Sequence, residues 1–122
     1  MKVDLLWRYE ELHIDGLPIG MMCDGDPVHG DLLLYSALGK PRQQDAEALN
    51  RRLLEGNHLY AGTSGCTLGR HEGSGIVTLY ARLPIPLTVP ATLLAKVCDL
   101  RHVTLIWRHD IQALPTLRAY AN

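Results

Sequence analysis

Apolar residues change their period twice along this chain, and the changes outline its elements. Leu12 and Ile14 flank His13 in an alternating run that ends at Asp15-Gly16, which reads as a strand entering a tight turn. Ile19 to Cys23 is a second short strand, closed by the turn cluster Asp24-Gly25-Asp26-Pro27. Asp31 to Leu38 alternates again, with Leu32 and Leu34 on one face and Leu33 and Tyr35 on the other. The first third is therefore predicted to be an antiparallel meander. Residues 1–10 read two ways: as a short helix with Val3, Leu6 and Trp7 on one face, or as a strand alternating Val3, Leu5 and Trp7.

Gly39-Lys40-Pro41 breaks that pattern, and Ala46, Leu49 and Leu53 follow at helical spacing with Leu54 widening the stripe. Asp45 and Glu47 sit early and Arg51-Arg52 late, as a helix dipole favours. Gly56-Asn57 is the predicted stop, since both residue types tolerate the left-handed backbone that ends helices. Leu59 to Leu68 is expected to be a glycine-rich strand. After Gly73-Ser74-Gly75, Ile76 to Leu83 is the strongest strand in the chain. Prolines 84, 86 and 90 delay a final helix from Ala91 to near Pro115, roughly five turns long by its three- and four-residue apolar steps. The order (α or β)-β-β-β-α-β-β-α predicts an α+β fold: an antiparallel twisted sheet with helices packed on one face. Leu105, Ile106 and Trp107 are consecutive, more than one core face of a helix can bury. The excess is expected to pack on a second side of the chain or on a partner.

Composition narrows the function. With 122 residues, 47% hydrophobic and 20% charged, a single globular domain spanning 1–122 is expected. A net charge of −1 offers no basic field for nucleic acid or an anionic membrane. Apolar runs fall short of the ~20 residues that span a bilayer. Asp4 and Trp7-Arg8 interrupt any secretion signal, so the expected location is the cytoplasm. Cys23, Cys66 and Cys98, odd in number and far apart, read as buried reduced thiols.

Catalytic patterns are missing from the sequence. Cys98 and His102 share a helix face but have no second ligand pair at metal spacing. Gly62-Thr63-Ser64-Gly65-Cys66 lacks the frame of a nucleophile elbow and of a phosphate loop. Asp24, Asp26 and Asp31 lack the closing Glu of a calcium loop. Arg42 and Arg51-Arg52 make a small basic face of the kind that is usually just solvated. No cofactor and no metal are expected. An enzymatic reading would have to rest on Cys66, His71 and Glu72.

Four pieces in order resemble the class I type III secretion chaperones, the Tir chaperone or CesT-like family. They are the helix end Leu53-Leu54-Glu55-Gly56-Asn57; Ser64-Gly65-Cys66-Thr67-Leu68-Gly69; the strand Gly75-Ile76-Val77-Thr78-Leu79-Tyr80-Ala81-Arg82-Leu83-Pro84; and Trp107-Arg108 in the closing helix. The resemblance implies a cytoplasmic bacterial homodimer, without enzymatic activity, that holds the N-terminal segment of a secreted effector extended and competent for export. A regulatory use of the same fold, sequestering a partner regulator, is the alternative. Carried onto this chain, it implies an effector surface at Leu6, Trp7, Leu12, Ile14, Ile19, Met21, Leu32 and Leu34. It implies a dimer interface at Leu49, Leu53, Tyr60, Cys66 and Leu68. The chain departs from the family in being nearly neutral rather than acidic, in its short first segment, and in Ser64 replacing a glycine.

Overall fold

Alternating strands and two helices have a common solution here, a sheet covered on one side. The computed structural model describes residues 10–14 and 16–113. Strands β1 (Glu10–Ile14), β2 (Leu17–Asp24) and β3 (Asp31–Gly39) form the meander. Helix α1 (Ala46–Asn57) then leads to β4 (Thr67–Arg70), β5 (Val77–Pro84) and the long helix α2 (Pro90–Gln112). The sheet is antiparallel throughout, in the order β1-β2-β3-β5-β4. Strand β5 pairs with β3 along most of its length, and β4 folds back as its hairpin partner on the outer edge.

Period-two alternation sorts the sheet's side chains. Leu17, Ile19, Met21 and Cys23 of β2 point inward, as do Leu32, Leu34, Ser36 and Leu38 of β3 and Val77, Leu79 and Ala81 of β5. Helix α2 lies across this face, contacting β2, β3 and β5. It inserts Val97, Leu100, Val103 and Trp107, while α1 adds Leu49 and Leu53 beside β4. Burying a large aliphatic side chain contributes on the order of 2 kcal/mol, so this one cluster dominates the stability.

The fold differs from the sequence expectation in four places. The stretch from Leu59 to Cys66 is not a strand. It runs through a 3-10 turn at His58–Tyr60 and a series of tight turns, with Ala61 N–H donating to His58 O, Thr63 N–H to Tyr60 O and Cys66 N–H to Thr63 O. Second, Asn57 ends α1 in a right-handed conformation, φ −74°. The left-handed residues come later, at Leu59 (φ 52°) and Tyr60 (φ 58°), where side chains pay for that conformation. Third, α2 begins at Pro90 itself, because a proline's fixed φ suits the first helical turn, and it runs for 23 residues. Fourth, Cys98 is exposed on α2, whereas Cys23 and Cys66 are buried; all three are free thiols. Among the described residues, no helix is long and apolar enough to cross a membrane.

Candidate partner-binding surfaces

The end of α1, the turns after it and the end of α2 form one joint. Gly56 is buried against Trp107, and a Cβ there would lie 2.4 Å from Trp107 Cζ2. Only glycine allows the helix this close to the indole. Gly62 ties the joint together, its N–H donating to Gly56 O (3.1 Å) and its carbonyl accepting from Trp107 Nε1–H (2.8 Å). Arg52 spans the outside, with its guanidinium 5.9 Å from the Trp107 ring centroid and Nη2 donating to Asp110 Oδ2 at 2.7 Å. The Trp107 of the sequence motif is therefore an anchor for the loop, and its neighbour Arg108 donates through Nε and Nη2 to Ala37 O on β3.

This joint presents apolar side chains to solvent. Leu54 is 73% exposed, Leu59 84% and Tyr60 57%. Of the five residues expected at the dimer interface, Tyr60 alone is on the surface. Leu49, Leu53, Cys66 and Leu68 are buried inside the chain, because the i, i+4 stripe of α1 and the inward face of β4 both turn toward Trp107 and Leu79. Leu54, the residue that widens the helical stripe, faces outward beside them.

A similar correction applies to the meander. Ile19, Met21, Leu32 and Leu34 are core residues beneath α2, and Ile14 is half-buried against the same cluster. Leu12 is paired with Ile19 in β1, and Leu6 and Trp7 lie outside the described residues. Leu32 also lines an open apolar cavity of about 210 Å³ with Cys23, Pro27, Ile85 and Thr88. Exposed Val28 on one side, and Leu87 and Val89 on the other, adjoin its lining residues in sequence. At this end of the sheet Arg82 Nη1 donates to Asp24 Oδ2 (2.8 Å) and Asp31 Oδ2 (2.7 Å), fixing the β2–β3 hairpin to β5. Sequence reasoning missed this cavity, since its walls come from three separate segments.

The residues of the enzymatic alternative are not poised for chemistry. Cys66 is fully buried, and burial pushes its thiol pKa up, against the pull of nearby Lys96 and reinforced by Asp99. A nucleophilic thiol needs the opposite shift. His71 Nδ1 is engaged in its own turn with Ser74. Among the described residues, no three His, Cys, Asp or Glu side chains group closely enough to hold a metal.

A five-stranded antiparallel sheet with one long helix across it and a shorter helix at its β4 edge defines the class, a two-layer α+β fold. The profile of the Tir chaperone protein (CesT) family matches residues 27–100, more than half of the chain. This chain belongs to that family. Solved structures share the fold at low identity. The ExsC–ExsE complex contains a chain 16% identical, with a TM-score of 0.66, covering 84% of this chain and 74% of that one. The HopA1–SchA chaperone–effector complex matches at 24% identity and TM-score 0.64, covering 81% and 73%. The heterodimeric ExoU–SpcU complex from the type III secretion system of Pseudomonas aeruginosa matches at 16% and 0.62, covering 86% and 80%. No curated protein matches the sequence.

Proposed function

We propose that this protein is a type III secretion chaperone, a non-enzymatic cytoplasmic homodimer that binds the N-terminal segment of a secreted effector and keeps it extended for export. The observation that carries the reading is family membership over residues 27–100 joined to a sheet-and-helix fold shared with chaperone–effector complexes. The surface supports it as well. Eleven large hydrophobic side chains are exposed among the described residues; Leu54, Leu59 and Tyr60 belong to the end of α1 and the turn after it, and Val28, Leu87 and Val89 adjoin the lining of the cavity in sequence.

Two surfaces divide the work. Leu54, Leu59 and Tyr60 form the surface for a second copy of this chain, taking the place of Leu49, Leu53, Cys66 and Leu68, which are spent on the core. The cavity of Cys23, Leu32 and Ile85, with Val28 and Leu87 beside it, receives apolar side chains of the effector segment. The meander residues Ile19, Met21 and Leu34 support that surface from beneath.

Co-expression with the product of the neighbouring open reading frame, followed by light scattering, tests the proposal. Two copies of this chain with one copy of the partner's N-terminal segment are expected. A lone monomer that retains no partner segment would overturn it. Replacing Leu59 with Asp is expected to separate the two copies without unfolding them, because the side chain is solvent-facing and buries nothing in the monomer.

A further inference from the structure

The outer strand β4 has a bonding partner that is not a strand. Leu68 N–H donates to Asn57 Oδ1 at 2.9 Å, and Asn57 Nδ2–H donates to Leu68 O at 2.9 Å. In an antiparallel ladder, successive residues turn their main-chain groups alternately toward one neighbour and the other. Leu68 therefore faces away from β5, and its two groups are those a sixth strand would need. The Asn57 carboxamide meets both, standing in for one peptide unit of that missing strand. Just before the strand begins, the Cys66 N–H is also taken, by Thr63 O at 3.0 Å. Gly56 makes the arrangement possible: without a side chain it packs against Trp107 and Leu68, and so delivers Asn57 to the strand edge.

We propose that Asn57 closes the β4 edge against strand addition, so that a second copy of this chain docks on this side through side chains and not by extending the sheet. An open edge strand templates pairing with any extended chain, and native proteins blunt or cover it. Here the blunting group is the last residue of the helix that also presents Leu54, one residue before the turn carrying Leu59 and Tyr60. The manner of dimer contact rests on the homodimer reading above; the closed edge itself does not.

Amide exchange at Leu68, followed by NMR across a dilution series with light scattering in parallel, tests this in the native protein. Leu68 N–H is expected to be equally protected at low and high concentration, since its acceptor is in the same chain. In Asn57→Ala, its exchange is expected to quicken by roughly tenfold or more, with species larger than the native assembly appearing as concentration rises. Native Leu68 that is unprotected when dilute and gains protection only on association would overturn the proposal. So would a folded Asn57→Ala that keeps the native mass throughout. Should the variant not fold, the native dilution series decides alone. A chain that stays monomeric with Leu68 protected removes the dimer reading and upholds the closed edge.

Discussion

Thr104 on α2 and Ser36 on β3 are hydrogen-bonded through their hydroxyls at 2.5 Å, both fully buried. Thr104 Oγ1–H already donates to Leu100 O, 2.6 Å away, so Ser36 supplies the proton of the shared bond. The pair is a polar rivet through an apolar layer, fixing where the long helix crosses the central strand. Replacing Thr104 with Val keeps the shape and leaves the Ser36 hydroxyl without its acceptor, at an expected cost of about 1–3 kcal/mol. Ser36→Ala removes only the donor and is expected to cost about 1 kcal/mol. The double variant should cost less than the two singles added, because no orphaned hydroxyl remains. Urea unfolding of all four proteins checks it; strict additivity would show that the two hydroxyls do not act as a unit.

Gly56 gives a second expectation. Alanine gains about 1 kcal/mol of helix propensity over glycine. At this position its Cβ would stand 2.4 Å from Trp107 Cζ2 and 2.7 Å from Cη2, so the indole must move. Moving it also strains the Trp107 Nε1–Gly62 O bond, which holds the turn between α1 and β4. Overpacking costs about 1–3 kcal/mol and a lost hydrogen bond about 1 more, so a net loss of about 1–3 kcal/mol is expected. Thermal unfolding measures the loss, and a shifted tryptophan emission would report the displaced ring. An unchanged or raised melting temperature would contradict the packing of Gly56 against Trp107.

What could be read in advance follows from the kind of signal each element carries. Leu32 and Leu34 alternate with Leu33 and Tyr35, so the strand and the face they share are legible locally. Alternation does not say which face a distant helix will cover. That is why Ile19, Met21, Leu32 and Leu34 look equally suited to a groove and to a core, until α2 is seen lying over them. The turn at Leu59 and Tyr60 was hidden for a different reason. Neither residue type signals a left-handed backbone, and the hydrogen bonds that fold the chain back here, Gly62 N–H to Gly56 O and Trp107 Nε1–H to Gly62 O, join residues on either side of the pair. The cavity beside Leu32 has no local signature, because Cys23, Pro27 and Ile85 meet only in the folded chain.

That distinction can be tested by charge. Leu34 is fully buried and Met21 is 7% exposed. Asp at either site places a carboxylate in the core with no partner, a penalty of about 3–5 kcal/mol against a total stability of about 5–15. Both variants are expected to lose cooperative unfolding or to be recovered only as aggregate. Leu87→Asp, at a site 77% exposed beside the cavity, is expected to stay folded and weaken capture of the partner segment. Circular dichroism with co-purification separates the cases. A folded Leu34→Asp that merely loses its partner would return that residue to the binding surface.

Cys66 supplies the last expectation, through pH. Burial raises its thiol pKa in the folded chain above the ordinary value of 9.0, with Asp99 adding to the shift and Lys96 opposing it. A raised folded-state pKa means that the native protein holds this proton more tightly than the unfolded chain does. The associated stability is complete below pH 9.0 and is lost as pH climbs from there toward the raised value. Between the two values the unfolded chain ionises while the folded chain stays protonated, which lowers the stability, and above the raised value the loss is complete. Cys66→Ala removes the titrating group and should flatten this part of the profile, at the cost of a small cavity in the core. The comparison is of slopes: denaturant midpoints of native protein and variant, measured from pH 8 to pH 10.5 in reducing buffer, should converge as pH rises. Parallel profiles would mean that the Cys66 thiol ionises as readily in the folded protein as in the unfolded one, contrary to its place under the turn.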